Sequence, residues 1–126
     1  MELLMKIDIV LSTTEVVEGK HQKICMIDFT GKASGPYFTG EVIGTGVDTQ
    51  FIKNGVTNLS ARYMLEGTDA NNEPCRVFIE NNGDDFSNCK PQIVTDSKLL
   101  ADWETSDLRA TVTPGDGGVT IHIYKL

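Results

Sequence analysis

Asn58-Leu59-Ser60-Ala61-Arg62-Tyr63-Met64-Leu65-Glu66 places Leu59, Ala61, Tyr63 and Leu65 on one side and Ser60, Arg62, Met64 and Glu66 on the other. A period of two is what a half-buried antiparallel strand requires, because successive side chains point to opposite faces of a sheet. The same pattern recurs along the chain. Residues 2–11 set Leu3, Met5, Ile7, Ile9 and Leu11 against Glu2, Lys6 and Asp8. Residues 75–81 set Cys75, Val77 and Ile79 against Arg76, Phe78 and Glu80, and the last run sets Val119, Ile121 and Ile123 against Thr120, His122 and Tyr124.

Turn residues separate these runs. Gly31 to Gly35, Gly44-Thr45-Gly46, Asn54-Gly55, Asp69 to Pro74, Asn82-Gly83 and Pro114 to Gly118 punctuate the chain from end to end. Asn-Gly and Asp-Gly supply the positive φ angles of tight hairpins. Short strands joined this way predict an all-β, meander-like fold of about eight antiparallel strands. Closure into a β-barrel is the economical way to hide the edges. One short helix is predicted near residues 96–104. Thr95, Asp96 and Ser97 offer capping oxygens there, and Leu99, Leu100 and Trp103 form a packing face that covers one end. With 126 residues and no repeat or linker, residues 1–126 read as a single domain. Gly40 and Gly44 are the expected sites of β-bulges.

Charge narrows the function. Eleven Lys and Arg against 18 Asp and Glu give a net charge of −7. A compact domain this acidic repels phosphate backbones, so neither nucleic acid nor an anionic membrane is an expected partner. No apolar run approaches a membrane span, no secretory pattern is read, and three scattered cysteines carry no CxxC. A cytoplasmic protein is expected.

Motif-like fragments carry little chemistry. Asp69-x-Asn71-x-Glu73 with Glu80 mimics a calcium loop, but Pro74 stands where its glycine must be. His21 and His122 have no paired ligand at short spacing, so neither metal nor cofactor is expected. Cys89 follows Asp84 and Asp85, which disfavour a thiolate. The outer face carries Arg62, Glu80 and His122 beside Met64, Phe78 and Tyr124, apolar enough to form a contact in a homo-oligomer. The inward face places Tyr63 and Asn81 among aliphatic residues, and Asp48 follows the double-glycine turn near a barrel mouth. A few polar groups in an apolar lumen are the usual make-up of a small-molecule pocket.

Gly35-Pro36-Tyr37-Phe38-Thr39-Gly40-Glu41-Val42-Ile43-Gly44-Thr45-Gly46-Val47-Asp48, then Ala61-Arg62-Tyr63, then Ile79-Glu80-Asn81-Asn82-Gly83, resembles uncharacterised protein family 0311, also called domain of unknown function 3237. The resemblance runs from about residue 20 to the end of the chain. It implies a lipocalin-like or otherwise closed antiparallel barrel and no established activity. Three readings follow from the residues. One is a barrel that binds a small, partly apolar molecule through Asp48, Tyr63 and Asn81. Another is an isomerase- or cyclase-like enzyme using the same pocket, with Asp48 and Tyr63 as the pair to test. The last is a packed structural or oligomerising module with no ligand.

Overall fold

The structure, a computed structural model, describes all 126 residues. Nine antiparallel strands make one sheet: β1 (Glu2–Glu18), β2 (Lys23–Ser34), β3 (Phe38–Val42), β4 (Gly46–Lys53), β5 (Val56–Asp69), β6 (Pro74–Gly83), β7 (Lys90–Thr95), β8 (Leu108–Gly115) and β9 (Gly118–Lys125). The spatial order is β7-β6-β5-β3-β2-β1-β9-β8, with β4 also lying between β2 and β5. β3 and β4 therefore lie end to end in one lane, and nine strands fill eight lanes. Counting β3 and β4 as that one lane, every pair of adjacent lanes is consecutive in sequence except β1 and β9, whose ladder runs from Glu2↔Lys125 to Val10↔Gly118.

The alternation places the core. Leu59, Ala61, Tyr63 and Leu65 of β5 are buried, as are Cys75, Val77, Ile79 and Asn81 of β6 and Ile121 and Ile123 of β9. All the buried apolar residues form one cluster on one face of the sheet. That face meets no second sheet and no α-helix, so it packs on itself by curling, which makes the fold β-barrel-like. The ends of the sheet, β7 and β8, are not joined by a continuous ladder. One bridge, Cys89↔Ala110, links the approach to β7 with β8, through reciprocal N–H···O bonds of 2.9 Å. The Val112 N–H adds a 2.7 Å bond to the Phe86 carbonyl.

Several expectations change in detail. Leu3 is 41% exposed and Leu4 is buried, because the β1–β9 register shifts between Leu3 and Met5. A one-residue irregularity turns the chain over and brings the next side chain inward. Gly40 lies in an unbroken β3–β5 ladder and is not a bulge. The break falls between Val42 and Gly46, where Gly44 takes a φ of 62°. Val42 pairs with Leu65 and Val47 with Arg62, so β4 gains two residues on β5 across the break. A two-residue insertion preserves face parity, and Asp48 stays on the inward side.

The expected helix is one 3-10 turn, Ala101–Glu104. Leu100 and Trp103 are buried while Leu99 is 42% exposed. Spacing of i, i+3 suits the three-residue period of a 3-10 turn and gives an α-helix no third anchor. The Ser106 hydroxyl, which donates to the Asp102 carbonyl at 2.6 Å, offers the backbone an alternative to continuing. Ser97 does not cap this turn, whose N-cap is Leu100; its Oγ accepts from the Leu100 N–H at 3.2 Å and so fixes the approach to it. Trp103 meets Tyr37 edge-on at 6.2 Å, so the turn covers the end of the fold where Phe38, Leu4 and Leu65 lie fully buried.

Gly40 and Gly67 face one another across β3 and β5. A Cβ on Gly67 would lie 1.9 Å from the Thr39 carbonyl oxygen, an impossible contact unless the strands part. Gly67→Ala is expected to cost about 1–3 kcal/mol, the usual range for overpacking. Thermal denaturation followed by circular dichroism should show a midpoint lower by roughly 5–10 °C; an unchanged midpoint would contradict this register.

Candidate functional site

Across the sheet, Ile27 of β2, Asp48 of β4, Ala61 of β5 and Asn81 of β6 form one row of directly opposed inward residues. Asp48 and Asn81 are two strands apart, about 10 Å at Cα by strand spacing, with only the methyl of Ala61 between them. This row lines a cavity of ≈ 270 Å³, bounded elsewhere by Phe29, Leu59 and Ile121 and at its rim by Phe86 and Pro114. The lining is mostly aliphatic and aromatic.

The next row inward is Phe29, Gly46, Tyr63 and Ile79. A Cβ on Gly46 would lie 2.4 Å from the Phe29 ring and 2.8 Å from the Tyr63 Cβ. Glycine there lets the two rings meet edge-on, with centroids 5.3 Å apart. Phe29 lines the cavity and Tyr63 does not; the tyrosine stands behind it in the core. The structure thus brings Asp48 and Asn81 together at the cavity and sets Tyr63 one layer below.

All three carry a buried oxygen with no partner inside the protein: Asp48 Oδ1, Tyr63 Oη and Asn81 Oδ1. The other oxygen of Asp48 is engaged, since Gln50 Nε2 donates to Asp48 Oδ2 at 3.1 Å. The Cys89 thiol donates to the Asp85 carbonyl at 3.4 Å, so it is no donor to Asn81 Oδ1. Burial pushes the Asp48 carboxyl above the usual carboxylate range, and the bond from Gln50 opposes this in part. Burial likewise pushes the Tyr63 phenol upward. The Cys89 thiol is raised first by burial and further by the charges of Asp85, Asp48 and Asp84, an environment opposite to that of a reactive thiolate.

Phe29, Gln50, Phe86 and Pro114 were not singled out by the sequence. Gln50 carried a usable signal, since it shares inward parity with Asp48. Phe86 comes from a loop, where no periodicity assigns a face, and Pro114 from the end of β8, which the sequence reads as turn. The outer residues also divide. Met64 and Phe78 are opposed on β5 and β6, and Arg62 pairs with Glu80 at 2.7 Å beside them. His122 and Tyr124 stack on β9, four lanes away, so they share no patch with the others.

Residues 1–114 match the family model described as protein of unknown function (DUF3237). The chain belongs to the DUF3237 family. Among DUF3237 relatives, a UPF0311 protein of Clostridium acetobutylicum is 38% identical over 68 residues. That stretch is 53% of this chain and spans only 39% of the length of that relative. A solved Clostridium acetobutylicum protein of unknown function superposes with a TM-score of 0.85 at 22% identity, over 99% of this chain and 97% of the other. A β-barrel-like protein of Acinetobacter baumannii gives 0.82 at 15% identity, over 98% and 93%. An enzyme of Penicillium herquei gives 0.79 at 14%, over 98% and 91%. At such identities these likenesses concern the fold. In this DUF3237 chain no helix is long and apolar enough to cross a membrane.

The shift at Asp48 has a sign. A carboxyl raised in the folded state holds its proton to higher pH than in the unfolded chain, where it titrates near 3.9. Stability from this group is therefore present below that value and lost as pH rises through the folded-state pKa. Asp48→Asn is expected to raise the thermal midpoint at pH 7, with the gain vanishing as pH falls below about 4. Differential scanning calorimetry across pH checks both; a lower midpoint at pH 7 refutes the assignment.

Proposed function

We propose that the chain is a cytoplasmic barrel, closed along its β7–β8 side, that binds a small, partly apolar molecule in its lumen. The observation that carries this reading is the apolar cavity whose wall holds two buried oxygens without partners, on Asp48 and Asn81. Each unsatisfied buried polar group costs about 1–3 kcal/mol. A ligand that hydrogen-bonds them recovers that cost, whereas the empty protein bears it. The volume fits. A 150 Å³ apolar cavity takes benzene, so ≈ 270 Å³ admits a substituted ring or a bicyclic body. Tyr63 sits behind Phe29, and its part in this reading is to support the cavity wall.

An acid–base enzyme in the same pocket is a second reading, favoured by one observation. A carboxyl raised by burial at an apolar cavity is the environment of a general base. Its partner at the cavity is Asn81, since Tyr63 lies a layer deeper. The Penicillium herquei neighbour, described as an enzyme, is consistent with catalysis on such a fold at the level of analogy. A packed module without ligand fits less well, because the lumen is filled only at the end under Trp103.

Native mass spectrometry of the protein purified from its own cell type tests the binding reading. An adduct on the order of 150–250 Da is expected from the cavity volume. Ala61→Leu, which fills the space between Asp48 and Asn81, should lose the adduct and cost about 1–3 kcal/mol in stability. A wild-type spectrum with no adduct overturns the proposal.

A further inference from the structure

The polar groups at the cavity are mismatched in kind. Asp48 Oδ1 and Asn81 Oδ1 are both acceptors, both buried and both without a protein donor. Of the nearby side-chain donors, the Gln50 amide goes to Asp48 Oδ2 and the Cys89 thiol to the Asp85 carbonyl. No lysine, arginine or histidine lines the cavity, and Asp48 takes part in no ion pair. Asn81 is 2% exposed, so a donor to its Oδ1 must come from inside the cavity.

The electrostatics point the same way. Asp84 and Asp85 lie in the loop that carries Phe86 to the rim, and their charges reach Cys89 together with that of Asp48. Asp116 lies in the β8–β9 turn, two residues from Pro114 at the opposite rim. On a chain of net charge −7, the only charged side chain that lines the cavity is the negative Asp48. Walls of one sign around a low-dielectric space raise the local concentration of the opposite charge.

Resting on the binding reading above, we infer that the cavity takes a protonated organic amine on an aromatic or otherwise apolar body. An ammonium group carries N–H donors and no acceptor, enough to serve Asp48 Oδ1 and Asn81 Oδ1 together. Rotation about χ2 of Asp and Asn is soft, so both oxygens can turn to the ligand with little strain. The charged donor also supplies the counter-ion that Asp48 lacks, in a setting where charge-assisted hydrogen bonds are the strong ones. The apolar body lies against Leu59 and Ile121, and the aromatic side chains of Phe29 and Phe86 also line the cavity. An alcohol of the same shape satisfies one acceptor at most. A carboxylate satisfies none and meets like charge.

Isothermal titration calorimetry at pH 7 with four matched probes tests this: 2-(1-naphthyl)ethylamine, 2-(1-naphthyl)ethanol, 1-naphthylacetate and 1-ethylnaphthalene. The amine is expected to bind about tenfold tighter than the alcohol, with no detectable binding of the carboxylate. Asp48→Asn, its fold checked by circular dichroism, should reduce the amine-over-alcohol preference to within about threefold. The wild-type series stands alone if that variant does not fold. If ethylnaphthalene or the alcohol binds as tightly as the amine, the amine inference is wrong and the cavity reading survives. If none of the four binds, both fall. A preference for the amine that persists in Asp48→Asn removes Asp48 from the recognition.

Discussion

The ladder between β1 and β9 is the pairing on which the rest of the molecule depends. All other pairings join lanes that follow one another along the chain, β3 and β4 sharing one lane. This one brings residues 2–10 against residues 118–125, across almost the whole chain. Without it the meander would be an open sheet with a single apolar face and nothing to lay against it. With it, that face curls on itself, and inward residues from strands far apart around the sheet share one core. The cavity follows from the same curling. Where inward residues are Phe38, Leu65, Val77 and Ile123, with Trp103 above, the lumen is filled. Where they are Asp48, Gln50, Ala61 and Asn81, it is hollow.

Two aspartates show how the same side chain serves opposite ends. Asp69 closes the β5–β6 turn. Its Oδ2 accepts the Ser97 hydroxyl at 2.7 Å, and its Oδ1 accepts the backbone N–H groups of Asn71 and Glu73. The Ser97 bond is the main reason its carboxyl is held below the ordinary range. That carboxylate is satisfied, and it pins the turn and the Ser97 segment together. Asp48 has one side-chain bond and a bare oxygen, and its carboxyl moves upward instead. A fold optimised only for stability would complete or remove such a group, so its retention at a cavity marks the place where the structure is arranged for something else.

Much of this was legible in the residues. Alternation assigned the inward faces of β5, β6 and β9, and turn chemistry found the joints between strands. Asn81 and Tyr63 were found because they are polar at inward positions, and Asp48 because it follows a glycine-marked break. Periodicity says nothing, however, about depth along the barrel. Whether an inward residue lies at the hollow level, like Asn81, or a layer deeper, like Tyr63, depends on stagger between strands. Irregularities of one or two residues, at Leu3–Met5 and between Val42 and Gly46, shift that stagger without a distinctive local signal. For the same reason Tyr124 could be assigned to the outside but not to a neighbourhood. The 3-10 turn at Ala101–Glu104 was overread because capping residues announce where a helix starts, not how far it runs.

The side of the sheet held by the Cys89–Ala110 bridge has a consequence for how the molecule moves. Along the sheet each lane is tied to the next by a ladder, but here the tie is one reciprocal pair of backbone bonds and the Val112–Phe86 bond beside it. At a net value of about 1 kcal/mol per hydrogen bond, parting this side is far cheaper than parting β1 from β9. Phe86, Val112 and Pro114, on the two margins, are also cavity residues. The least secured margin of the sheet therefore borders the hollow. The molecule is built to loosen there first, while the packed half under Trp103 stays shut.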